Sequence, residues 1–242
     1  MSRRIASLGI AALAGLVATA AAATDLDIIN APEIDVSGSA AAQGWYVRGD
    51  LGYAGWTKAG RASVTQSGVS TDFDEGRFSH PVSFGAGLGY QFGDIVRADL
   101  TADFSRDDFE GRAACAGGAC AFKADYSTVG LMVNGYADLG TFAGFTPYVG
   151  AGLGATYLDW RDAACSGAGC TSAGLEGKDD FRFTYALMAG ASVDLAPRVK
   201  LDVGYRFSDT AGGAAFGAGA MDVRDDGLRK HEFRIGLRVP LW

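Results

Sequence analysis

The sequence predicts an all-β fold, an eight-stranded antiparallel up-and-down transmembrane β-barrel preceded by a cleaved signal peptide. Three observations predict it. Two-residue alternation of apolar and polar side chains recurs eight times between residues 44 and 242. The links between these runs are short and long in turn, as when turns gather at one end of a barrel and loops at the other. The charges of the runs share one face, while the opposite face is almost free of charge.

Composition excludes several other classes. The 242 residues are 48% hydrophobic and 20% charged, with 36 glycines and a formal net charge of −7. This is too apolar for a disordered chain and too evenly charged for helical membrane spans. Beyond the N-terminus no run approaches the ~20 apolar residues of a transmembrane helix. An acidic chain with scattered bases lacks the basic footprint of a nucleic-acid binder.

Residues 1–23 read as a secretory signal peptide. Arg3 and Arg4 precede an apolar run from Ile5 to Val17, small residues follow, and cleavage is expected after Ala23. Residues 24–43 carry no clear period and read as a flexible lead into the barrel of residues 44–242. Export agrees with the cysteines. Cys115 and Cys120, and Cys165 and Cys170, form two C-x4-C pairs, read as two local disulfides that each pinch one loop. Such short loops gain about 2 kcal/mol each on the entropic account. A four-cysteine metal site is the lesser alternative, since it requires the two pairs to meet in space.

The runs follow in order. The first, 44–56, sets Trp45, Val47, Leu51 and Tyr53 against Tyr46, Arg48, Asp50 and Gly52. The second, 81–92, alternates large apolar residues with Ser83, glycines and Gln91, and Gly93-Asp94 supplies a tight turn. The third, 95–105, places Val96, Leu100 and Phe104 opposite Arg97, Asp99 and Asp103. The fourth, about 122–139, opposes Val129, Leu131 and Val133 to Thr128, Asn134 and Asp138. The fifth, 146–160, faces Val149, Leu153 and Tyr157 away from glycines. The sixth, 180–195, and the seventh, 198–209, oppose apolar rows to Arg182 and Asp194, and to Lys200, Asp202 and Arg206. The eighth sets Phe233, Ile235, Leu237, Val239 and Leu241 against Glu232, Arg234 and Arg238. Long polar links are expected at about 57–79, 107–121, 161–179 and 210–228.

The polar faces together carry seven positive and seven negative charges. A soluble sandwich leaves its polar faces in water and needs no such balance. A barrel with lipid outside encloses them, so they must pair or meet trapped water. Arg48, Asp50, Arg97, Asp99, Asp103, Asp138, Arg182, Asp194, Lys200, Asp202, Arg206, Glu232, Arg234 and Arg238 are therefore expected inside. Trp45, Tyr53, Tyr90, Tyr148, Tyr157, Tyr205 and Trp242 lie near run ends and are expected to form interfacial girdles.

The stretches GWYVRGDLGYAGW, TPYVGAGLGATY, LDVGYRF and HEFRIGLRVPLW resemble the small outer-membrane β-barrel family, the OmpA-like and opacity-type "porin family" proteins. The resemblance covers residues 44–242. It implies a bacterial outer-membrane location and contact with outer-membrane lipid and lipopolysaccharide. It also implies recognition of the C-terminal aromatic by the outer-membrane insertion machinery. Trp242 falls one step out of the 233–241 alternation, and a bulge at Pro240 would restore its phase. The role expected is structural or surface-interacting, with four extracellular loops available to a surface ligand. A narrow porin, a soluble lipocalin-like periplasmic binder and a lipid A-modifying enzyme are the competing readings. No cofactor is expected. Catalysis is not expected either, since Ser79 and His80 are sequence neighbours whose side chains point to opposite faces. Asp107, Asp108 and Glu110, or Asp222, Asp225 and Asp226, are candidate Ca²⁺ ligands set against plain solvated loop charge.

Overall fold

The computed structural model describes residues 43–241, apart from 60–61, 67–68, 73–74, 116, 171–173 and 219–220. The expected signal peptide and nearly all of the expected lead lie outside the described residues.

The described residues form thirteen strands: β1 (Gly44–Ala59), β2 (Ala62–Gln66), β3 (Val69–Asp72), β4 (Glu75–Phe78), β5 (Val82–Phe92), β6 (Val96–Cys115), β7 (Gly118–Asp138), β8 (Phe145–Trp160), β9 (Ala163–Ser166), β10 (Gly174–Gly177), β11 (Asp179–Ala196), β12 (Val199–Ala218) and β13 (Met221–Pro240). Eight of them form a closed antiparallel ring in the order β1-β5-β6-β7-β8-β11-β12-β13 and back to β1. The seam runs from Tyr46↔Pro240 to Ala59↔Leu228, with one register shift between Ala54 and Trp56. Closure removes the free edges that an open sheet would present. Pro240 pairs with Tyr46 in unbroken register, so the bulge expected there is absent, and Trp242 lies outside the described residues.

Short turns join β5 to β6, β7 to β8 and β11 to β12 at one end of the barrel. Gly93, at φ 67°, supplies the left-handed residue of the first. At the other end the strands run further than the sequence suggested. β6 and β7 stay paired to Cys115↔Gly118, and β12 and β13 to Ala218↔Met221, across segments expected to be loops. The reason is a second alternation. Phe109, Phe122, Tyr126, Trp160, Phe216 and Val223 continue the inward face and bury an apolar cluster. Their outward neighbours are mostly polar or small, so the stretches resemble loops when only composition is read.

Around the turn-end half, Phe84, Leu131, Val133, Leu153, Phe183 and Phe233 point outward and are more than half exposed. This belt is the apolar face that a soluble barrel would have to bury, and it excludes the lipocalin-like reading. The belt strands are about as long as a tilted bilayer crossing needs. Inside, tyrosine rings lie on facing glycines: Tyr46 on Gly89 and Tyr136 on Gly150. A Cβ at either glycine would collide with the ring, so these glycines make the room that the lining tyrosines fill.

Candidate functional site

The inward charges of the belt form stacked layers. Nearest the turn end, Arg97 is fully buried. It donates through Nε to Asp138 at 3.1 Å and lies 3.6 Å from Asp202. Its guanidinium is sandwiched by the Tyr136 and Tyr148 rings at 4.2 and 4.6 Å. Arg238 donates to Asp202 at 3.2 Å and to Gln91 at 3.2 Å. In the next layer Arg48 grips Asp50 through two nitrogens at 2.9 and 2.7 Å, and donates to Asp99 at 2.7 Å. Asn134 also donates to Asp99, at 2.8 Å. Above these, Asp103 accepts from Arg206 at 3.0 Å and Arg234 at 2.8 Å, while Glu232 lies 3.5 Å from Arg234.

A layer of hydroxyls follows. Ser105 meets Thr128 at 2.7 Å, and Thr184 bridges Thr156 and Thr210 at 2.7 and 3.0 Å. Lys230 donates to Ser105 at 3.0 Å. Two interior cavities, of about 20 and 50 Å³, lie among these layers, room for a few waters but no solute.

The remaining candidates divide. Arg182 reaches Asp225 through one nitrogen at 2.7 and 2.8 Å, beyond the hydroxyl layer. Lys200 and Asp194, expected inside, instead pair at 2.5 Å as an exposed couple on the turn-end rim. They sit where the strands leave the belt and water reaches both groups. Tyr148, expected at the interface, is inside the barrel with its ring on Arg97. It alternates with inward glycines, and that parity was the signal against a girdle position. Trp45 packs edge-on against Tyr90 at 5.3 Å, and Tyr53 stacks on His80 at 6.1 Å. Tyr157 meets Phe181 at 4.8 Å and donates to Asp179 at 2.8 Å, while Tyr205 bonds to His231. All of these last residues lie on the outward face.

Ser79 donates to Asp107 and accepts from the Asp108 N–H, while His80 is held against Tyr53. The acidic groups considered as Ca²⁺ ligands are also split. Asp107 points inward and accepts from Tyr126 at 2.9 Å, and Glu110 pairs outward with Lys123. Asp222 pairs with Lys178 and Asp225 with Arg182. Asp108 faces Asp125 across β6 and β7 on the outer surface. Lost solvation, and then repulsion from Asp125, raise the Asp108 carboxyl above its ordinary pKa.

Beyond the hydroxyl layer lies the apolar cluster. Trp160 sits at its centre, with Tyr126 at 4.5 Å, Phe216 at 4.9 Å and Phe109 at 6.0 Å. Two disulfides pack against it, Cys115–Cys120 at the β6–β7 tip and Cys165–Cys170 in the link between β9 and β10. The sulfurs of Cys120, Cys165 and Cys170 all lie within 4.8 Å of one another. The pairing of β7 with β9, which sets Cys165 opposite Phe122, brings the two cysteine pairs together.

Comparison with known proteins gives this arrangement its context. The family described as outer membrane protein beta-barrel domain matches residues 9–239. An uncharacterised protein of Brucella abortus is 32% identical, covering 93% of this chain and 95% of the relative. A candidate adhesin of Rickettsia bellii is 31% identical, covering 80% of this chain and 86% of its own. Among solved structures, the outer membrane protein OprG from Pseudomonas aeruginosa aligns with a TM-score of 0.50. It is 14% identical, covering 82% of this chain and 97% of its own.

Proposed function

Because the chain belongs to the outer membrane protein beta-barrel domain family, we propose that this bacterial outer-membrane protein is a surface-interaction barrel that carries a rigid platform outside the lipid. The carrying observation is the continuation of the strands past the belt over their own apolar core. Floppy loops need no such core. A platform that must hold a fixed outer face does, and disulfides at its tips stiffen it further. In this reading the hairpin end is extracellular, and its links are the four loops offered to a surface ligand. The turn end then faces the periplasm.

The similarity to a candidate rickettsial adhesin favours the same role. The packed, ion-paired interior speaks against the narrow-porin alternative, since a continuous path would have to part Arg48 from Asp99 and Arg97 from Asp138. Lipid and lipopolysaccharide would surround the belt, and the outer-membrane insertion machinery would deliver the chain there.

Attachment tests the proposal. A non-adherent bacterium displaying the protein is expected to bind epithelial monolayers several times better than one displaying a variant in which residues 107–126 are replaced by Asn-Gly. Arg106 and Ser127 are cross-strand partners, so a two-residue turn can join them. The variant must still show the faster band of a folded barrel in unheated gels. Equal attachment by two folded barrels would reject the role.

A further inference from the structure

The four cysteines belong to two different hairpins, yet the sulfurs of Cys120, Cys165 and Cys170 form one group. Cys115 is bonded to Cys120, and Cys120 lies within 4.8 Å of both Cys165 and Cys170. The tips are pressed together by backbone contact. Gly169 N–H donates to the Ala119 carbonyl at 3.4 Å, and a Cβ on Gly169 would fall 2.9 Å from the Cys120 sulfur. Phe122 and Cys165 are partners across β7 and β9. The apolar cluster beneath holds Cys120 almost wholly buried, with the other three sulfur-bearing residues half-buried around it.

We propose that the reduced form of this cluster is a tetrathiolate site for a soft or borderline divalent cation of the Zn²⁺ type, with Cys115, Cys120, Cys165 and Cys170 as its ligands. Metal–sulfur bonds of about 2.3 Å in a tetrahedron place sulfurs about 3.8 Å apart. The Cys120, Cys165 and Cys170 sulfurs already lie within 4.8 Å of one another, and Cys115, once its bond to Cys120 opens, supplies the fourth from the adjoining tip. Each ligand pair is brought by a short C-x4-C loop, and the two loops are seated on a preformed core.

The chemistry balances as follows. Each disulfide takes two electrons and two protons from a thiol reductant, which is itself oxidised to a disulfide, so two disulfides give four thiols. The cation then binds four sulfurs and displaces their protons to solvent. The tips thus have two mutually exclusive clamps. Two intra-hairpin bonds hold them under oxidising conditions, and one inter-hairpin metal holds them under reducing conditions.

The test uses the full-length protein folded in detergent, reduced with a phosphine and titrated anaerobically with Co²⁺ as a spectroscopic probe. One Co²⁺ per chain is expected, with thiolate charge-transfer absorption and the visible bands of a tetrahedral four-sulfur site, all displaced by Zn²⁺. The double variant Cys165→Ser, Cys170→Ser should lose those bands, and Cys115→Ser should shift them toward a three-sulfur spectrum. Gel migration of unheated samples confirms that each variant remains folded, so one misfolded variant leaves the other to decide. Two Co²⁺ per chain with two-sulfur spectra, or binding no stronger than in the unreduced protein, would overturn the site.

Discussion

The belt and the hairpin end are built from the same strands, yet their polarity is opposite. β6 displays this within one chain segment. Its inward face reads Arg97, Asp99, Thr101, Asp103, Ser105 and Asp107, then Phe109 and Ala113. Its outward face reads Val96, Leu100 and Phe104, then Arg106, Asp108 and Glu110. No bulge intervenes between Val96 and Cys115. The pleat alone decides which side chains share a face, and the medium outside decides which face is apolar. Lipid outside forces the polar groups in, and water outside lets them return. The hydroxyl layer of Ser105, Thr128, Thr156, Thr184 and Thr210 lies between the two regions.

The largest effect should come from the belt interior. Arg97→Met leaves Asp138 without its buried cation and Asp202 with Arg238 alone. It is expected to cost about 3–5 kcal/mol, read as the urea midpoint at which unheated samples lose the fast-migrating band. A loss below about 1 kcal/mol would mean that water already solvates this layer. Trp160→Ala should cost about as much locally, about 3–5 kcal/mol for a buried aromatic, but only in the hairpin end. Limited proteolysis should then cut within 107–126 or 158–178 while the belt keeps its heat-shifted band. Simultaneous loss of both would merge the two regions into one cooperative unit.

The outward faces give the sharpest contrast. Leu131→Arg in the belt should cost about 2–4 kcal/mol, whereas Asp125→Arg three turns of the pleat further along should lie within about 0.5 kcal/mol of the parent. Equal costs would erase the polarity boundary. The smallest effect concerns pH. The folded-state pKa of Asp108 is raised, so its protonated form favours folding. That contribution is complete below the unfolded carboxylate pKa and is lost as pH rises through the raised value. Asp108→Asn should flatten the acid-side dependence of hairpin protease resistance; an unchanged profile would place the dependence elsewhere.

The alternation made the belt legible, because lipid and a charged interior differ more than any two sides of a soluble strand. Arg48, Asp50, Asp99 and Asp103 could be placed inward from parity alone. The hairpin end was not legible in the same way. Phe109, Phe216 and Val223 are buried apolar residues inside the 107–121 and 210–228 links, where polar and small neighbours make the strands read as loops. Tyr46, Tyr136 and Tyr148 line the interior although aromatics near strand ends suggest girdles. Parity puts Tyr46 and Tyr148 on the inward face, and glycines facing the rings, Gly89 and Gly150 among them, make the space they occupy. The meeting of the two cysteine pairs was beyond reach, since it depends on the short strand β9 pairing with β7.

The seam between β1 and β13 carries a consequence for how the molecule is made. β13 is hydrogen-bonded to both β12 and β1, so the last of the described strands is the one that completes the circle. Until it docks, β1 and β12 expose bare backbone, and the ionic layers have an open wall. Asp202 would lack Arg238, and Asp103 would lack Arg234. A truncated product therefore has no modestly weakened form to settle into. Without β13 the sheet is left with two unpaired edges in place of a closed ring.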